Sequence, residues 1–248
     1  MKTVSVLSRK GGAGKTTVSV NLGLAAMQQG LRVVVADIDP LRSASEVLRG
    51  RKEAASLLIE TQGKKLPLLQ ETCVANACDL LIIDTPTQPD EEVALAIRAA
   101  DVCLAVARPS RLDVAAVTQT VALLHRHRAR GLVVLNQCPP KRGDLESDLV
   151  LQARETLEAG GVPLADTCLR SRLVYQRAFA ESQSVTEWAA DSPSAADVLG
   201  LLAEVQIELN RPEIYNERLA KLRQSGDNRP AGGQIMNDLL RRMTRMAS

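Results

Sequence analysis

A chain of 248 residues with 45% apolar content can bury a sizeable core, and its formal charge of +2 supplies no global field favouring nucleic acid or an acidic partner. Only 2% of residues are aromatic, so the core must be built from Leu, Val, Ile and Ala, which suits strands covered by helices better than a sandwich or barrel. The cysteines Cys73, Cys78, Cys103, Cys138 and Cys168 form no C-x-x-C pair and no regular framework, which argues against structural zinc and a disulfide scaffold and predicts reduced, mostly buried thiols.

Thr3-Val4-Ser5-Val6-Leu7-Ser8 alternates and is β-branched, predicting a first strand, and residues 18–29 carry helical spacing. Between them stands Lys10-Gly11-Gly12-Ala13-Gly14-Lys15-Thr16-Thr17. Glycines let backbone N–H groups curl around phosphate oxygens, and the following helix points its positive end at them. Lys15 can reach the β and γ phosphates and the Thr16 hydroxyl can ligate magnesium, so ATP with Mg²⁺ is the predicted occupant of Gly11 through Thr17. The common loop spacing needs glycine at position 9, where Arg9 stands; the deviant pattern Lys-Gly-Gly-x-Gly-Lys-Thr, with its extra lysine Lys10, fits completely. No apolar secretory stretch precedes the first strand and no run approaches ~18 apolar residues, which predicts a cytoplasmic protein.

Further apolar runs at 31–36, 80–83, 102–106 and 131–135 alternate with helical periodicity at 90–99, 112–128 and 145–158. The predicted fold is α/β, a doubly wound, mostly parallel sheet with helices on both faces, spanning residues 1–210. Ligands in such sheets sit at the carboxyl ends of strands. There Asp37-Ile38-Asp39-Pro40 closes the second run and Asp84-Thr85-Pro86 the third. Asp84 is expected to hold Mg²⁺ through its water shell, since this ion keeps several waters and takes one or two carboxylates. Asp39 carries two compatible readings: it orients the attacking water, or it caps a helix with Pro40 at the first position.

The deviant loop, Asp-x-Asp-Pro after the second strand and Ile82-Ile83-Asp84-Thr85-Pro86 after the third together resemble the ParA/MinD family of P-loop ATPases, with their deviant Walker A motif. The resemblance covers roughly residues 1 to 205 and is nearest to short, ParF-like partition proteins that begin at the first strand. It implies a sandwich homodimer formed with ATP, in which Lys10 of one subunit contacts the phosphates of the other. It also implies slow, partner-stimulated hydrolysis, with Lys10, Lys15 and Asp39 as the catalytic set. A cation supplied across an interface stabilises transition-state charge only once the interface exists. Pro109-Ser110-Arg111-Leu112-Asp113 resembles the family segment near the nucleotide and dimer interface, making Asp113, with Asp37, a candidate contact; Asp113 equally suits a helix cap. Asn136 resembles the residue whose amide reads adenine. Leu41 stands where many members have glutamine. The cysteine arrangement excludes the nitrogenase iron protein and iron–sulfur carriers, and a tail whose only tyrosine is Tyr215 excludes a tyrosine kinase.

Arg170, Arg172 and Arg177 resemble the family's arginines for nonspecific DNA contact, though such a cluster also suits a solvated face. His125 to Arg130 ends a predicted helix, where cations are favoured by the dipole alone. Residues 211–248 hold eight basic and four acidic residues, a net +4 that leaves −2 for the rest. A hinge at Arg229-Pro230-Ala231-Gly232-Gly233 precedes Ile235, Met236, Leu239, Leu240, Met243 and Met246, an amphipathic basic helix open to membrane, DNA, a partner or its own domain. Lack of an aromatic anchor and the presence of Asp238 count against membrane. The implied protein is a nucleoid-associated partition ATPase for a cargo, plasmid DNA first, with a ParB-like centromere-binding adaptor. Alternatives are a MinD-like membrane-cycling protein, a relative positioning a protein cargo such as a microcompartment, and, in another class, a metabolic ligase or kinase.

Overall fold

The structure, a computed structural model, describes residues 1–88, 90–159, 162–213, 215–217 and 220. These form strands β1 (Lys2–Leu7), β2 (Val33–Asp37), β3 (Leu58–Glu60), β4 (Leu80–Asp84), β5 (Val102–Ala107) and β6 (Gly131–Leu135). They lie in the order β3-β2-β4-β1-β5-β6, every pairing parallel. The chain starts mid-sheet, builds one side through β2, β3 and β4, then leaves on the other through β5 and β6. The reversal beside β1 is the place where such a sheet opens a crevice.

The helices are α1 (Lys15–Gln28), α2 (Ser43–Leu48), α3 (Ala54–Leu57), α4 (Leu66–Ala75), α5 (Asp90–Ala99), α6 (Arg111–Arg126), α7 (Asp148–Ala159), α8 (Val174–Ala180), α9 (Val185–Trp188) and α10 (Pro193–Asn210). Alternate strand residues face opposite layers. Val4, Val6, Ile82, Leu104 and Val134 pack with α1, α2, α8 and α10, whereas Leu81 and Ile83 pack with α4 and α5, and Ala105, Val133 and Leu135 with α6 and α7. Both faces being covered explains why the strands read as continuous apolar runs. All five cysteines are buried free thiols, as expected.

Several boundaries differ from the sequence expectation, each for a local reason. The second strand begins at Val33, not Leu31, because Gly30 at φ +86° and a bond from the Leu31 N–H to the Ala26 carbonyl complete the turn closing α1. The helix expected from 145 begins at Asp148, because Leu145 bridges Arg142 across a turn at Gly143. The short β3 and α3, and α4, went unpredicted: three- and four-residue elements show no period, and the exposed Leu68 and Val74 blur that of α4. The expected amphipathic helix near the C-terminus lies outside the described residues. No helix among the described residues is long and apolar enough to cross a membrane.

Candidate functional site

Five strands deliver polar residues to one edge of the sheet. After β1 the loop turns through Gly12 and Gly14 at φ +75° and +93°, conformations that side-chain-bearing residues rarely adopt. Gly14 is also the N-cap of α1 and has no side chain to accept from its first turn, so the helix presents its N–H groups to an anion. From the end of β6, Asn136 donates its amide to the Ala13 carbonyl at 2.8 Å and Gln137 to the Gly12 carbonyl at 2.9 Å. Asn136, the expected adenine reader, thus grips the back of the phosphate loop in this structure, and a Cβ on Gly14 would meet its Nδ2 at 2.1 Å.

Lys15 is 8% exposed and donates to the Thr87 hydroxyl at 3.1 Å. Burial lowers its pKa, partly offset by the charges of Asp84 and Asp39. Asp84, fully buried at the end of β4, accepts from the Thr16 hydroxyl at 2.7 Å and from the Ser19 hydroxyl at 2.8 Å. Burial pushes its carboxyl up to about 7 against those two bonds, with Asp37 adding to the rise. A cation beside it would favour the charged form that burial penalises. The donor set fits Mg²⁺: one hydroxyl and one carboxylate, with the remaining oxygens coming from phosphate and water. Among the described residues no group of three or more His, Cys, Asp or Glu could hold a metal ion.

The second-strand carboxylates separate by role. Asp39 accepts from the Leu41 N–H at 2.9 Å, closing a turn, while α2 starts only at Ser43 with Arg42 at its N-cap. The helix-capping reading of Asp39 is therefore corrected. Asp37 is buried; it accepts from the Ser45 N–H at 2.9 Å, the Ser45 hydroxyl at 2.8 Å and the Asp39 N–H at 3.1 Å. In this structure Asp37 organises the loop entering α2.

Lys10 ends on the Asp113 carboxylate at 2.8 Å. Asp113 is 2% exposed and also accepts from Arg108 at 2.9 Å and from the Ser110 hydroxyl. Burial alone would raise its pKa, but the bonds from Arg108, Lys10 and Ser110 hold it below the ordinary value. The N-cap of α6 is Ser110, which accepts from the Asp113 N–H, so the capping reading of Asp113 is corrected too.

The three arginines expected at DNA are not equivalent. Arg170 is buried and bidentate to Glu146 at 2.7 and 2.6 Å, and it donates to the Pro139 carbonyl at 3.1 Å. Arg172 pairs with Asp197 at 2.6 Å, whereas Arg177 is exposed on α8. Sequence reasoning missed Ser19, Thr87, Arg108 and Gln137. Only Ser19 left a signal, a polar residue four positions after Lys15 on a helix otherwise destined for the core.

The family of the CobQ/CobB/MinD/ParA nucleotide binding domain matches residues 4–229. Two proteins named maintenance of carboxysome distribution protein A are similar along nearly their whole length. That of Halothiobacillus neapolitanus is 32% identical over 212 residues, covering 82% of this chain and 95% of the relative. That of Gloeobacter kilaueensis is 30% identical over 201 residues, covering 79% and 89%. Among solved structures, the septum site-determining protein MinD with Mg-ADP from Pyrococcus horikoshii superposes with a TM-score of 0.65 at 19% identity, covering 82% of this chain and 95% of that one. McdA from Cyanothece bound to ATP gives 0.61 at 20% identity, covering 81% and 96%.

Proposed function

We propose that this chain, which belongs to the CobQ/CobB/MinD/ParA nucleotide-binding family, is an ATP-switched positioning ATPase whose cargo is a protein assembly. Likeness to carboxysome distribution proteins over nearly their full length is the observation that carries this choice of cargo. Plasmid DNA, placed first by the sequence reading, becomes the second candidate.

Thr16, and Asp84 through the ion's water shell, would hold a magnesium ion, which would supply neutralisation of phosphate charge. The loop N–H groups and the N-terminus of α1 orient the phosphates, and Asp39 positions the attacking water. Lys10, parked on Asp113 in the single chain, exchanges that carboxylate for the phosphates held by a second copy. Arg108 and Ser110 remain on Asp113, so the buried carboxylate keeps partners after Lys10 leaves. Dimer lifetime is then set by slow hydrolysis, which an adaptor carried by the cargo accelerates. The dimer holds the nucleoid through nonspecific phosphate contacts, with Arg177 the exposed candidate, since Arg170 and Arg172 are engaged by Glu146 and Asp197.

The test is binding to arbitrary duplex DNA and to anionic vesicles, with ATP, with ADP and without nucleotide, across a salt series. The reading predicts ATP-dependent DNA binding, with affinity falling by roughly 0.9 log unit per log unit of salt for each phosphate contact. ATP-driven vesicle binding with unchanged DNA affinity would replace it with the membrane-cycling alternative.

A further inference from the structure

We infer that the Thr87 hydroxyl is the contact by which this site distinguishes a nucleoside triphosphate from a diphosphate, exchanging Lys15 for the γ-phosphate. The inference rests on the proposed reading that the loop takes ATP.

An ammonium group has three donors and no acceptor, and a buried one needs an oxygen to donate to. In this structure Lys15 meets that need at Thr87, 3.1 Å away, while the two oxygens of Asp84 accept from Thr16 and Ser19. The lysine of a phosphate-binding loop reaches the β and γ phosphates. A hydroxyl already touching that ammonium therefore stands beside the end of the site that the β and γ phosphates would occupy. Unlike a carboxylate, a hydroxyl both accepts and donates. It can accept from Lys15 when no γ-phosphate is present and donate to a γ-phosphate oxygen when Lys15 turns to the same group. With a diphosphate the second arrangement has no acceptor, and Thr87 stays with the lysine.

The residues on either side of Thr87 are tied to the strand that leads into the phosphate loop and to the loop's first residues. The Thr85 hydroxyl donates to the Val6 carbonyl at 2.8 Å inside the core. Beyond Thr87, the first residue of α5, Asp90, pairs with Arg9 through its two terminal guanidinium nitrogens, at 2.9 and 3.4 Å. Arg9, the residue that breaks the common loop spacing, thus fastens the Thr87 segment to the root of the phosphate loop.

The experiment is titration of Mg-ATP and Mg-ADP onto the full chain, Thr87→Val, Thr87→Ala and Thr87→Ser, at protein concentrations too low for dimerisation. Thr87→Val keeps the shape and removes the hydroxyl. It should lower the ratio of ATP to ADP affinity about tenfold, nearly all of it in ATP, as expected for losing a hydrogen bond to a charged group. Thr87→Ser should restore the ratio. An unchanged ratio in Thr87→Val, or an equal loss for both nucleotides, overturns the inference; if the valine variant misfolds, Thr87→Ala gives the same readout. A wild-type chain that binds no ATP sinks the reading of the site as well, whereas normal ATP binding with an unmoved ratio sinks this inference alone.

Discussion

Lys10 is engaged within the single chain, and its partner is the buried Asp113. Removing one member of a buried ion pair costs about 3–5 kcal/mol when the other is stranded, and the presence of Arg108 and Ser110 keeps Lys10's departure well below that. The folded Asp113 pKa lies below its unfolded value, so its contribution to stability is present above about pH 4 and disappears as pH falls through the folded pKa. Asp113→Asn should accordingly lower the urea midpoint at pH 7, and the gap from wild type should narrow near pH 3. A second substitution tests the loop geometry. Gly14→Ala adds a Cβ at φ +93° and drives it into Asn136, so it should abolish the rise in melting temperature on adding Mg-ATP; a normal rise would contradict the geometry. Lys10, Lys15, Thr16 and Asp84 were legible because their order along the chain is itself the motif. Thr87, Arg108 and the grip of Asn136 on Ala13 were not, because Thr87 and Asn136 meet their partners 72 and 123 positions away and Arg108 gains its role only once Asp113 is buried.

Strands, here, act as carriers. Their buried apolar runs are readable as runs, and the five that end at the site each deliver one polar cluster there. Less readable was which polar residues beyond those ends face function and which merely fasten the architecture. Arg170 illustrates the second kind: within a sequence run it looks like a free cation, but it fastens the loop that follows β6 through Glu146 and Pro139. Arg170→Ala should destabilise the fold by about 3 kcal/mol in denaturant melts. Arg177→Ala should leave stability nearly unchanged and reduce the salt slope of DNA binding by about one contact. The opposite pattern would return Arg170 to the DNA surface. The long α10 shows that a readable element can still be overlooked: Val198, Leu201, Leu202, Val205 and Leu209 recur at helical spacing and are buried as a stripe.

For the whole molecule, the doubly wound parallel sheet followed from composition, alternation of elements and a single loop motif, and the structure has that architecture. The proposed cargo did not follow, because phosphate chemistry does not depend on cargo; the preference for a protein cargo over a plasmid came from relatives matched along nearly their full length. What the molecule's layout does show is two lysines of one loop held apart, Lys15 on the Thr87 hydroxyl and Lys10 on the Asp113 carboxylate, and the proposed switch rests on that separation. The most direct measurement is sedimentation of wild type and Lys10→Ala with Mg-ATP and with Mg-ADP. Wild type should pass from monomer to dimer with ATP alone, while Lys10→Ala should keep measurable ATP binding and remain monomeric. A Lys10→Ala chain that dimerises with ATP as wild type does would contradict the account.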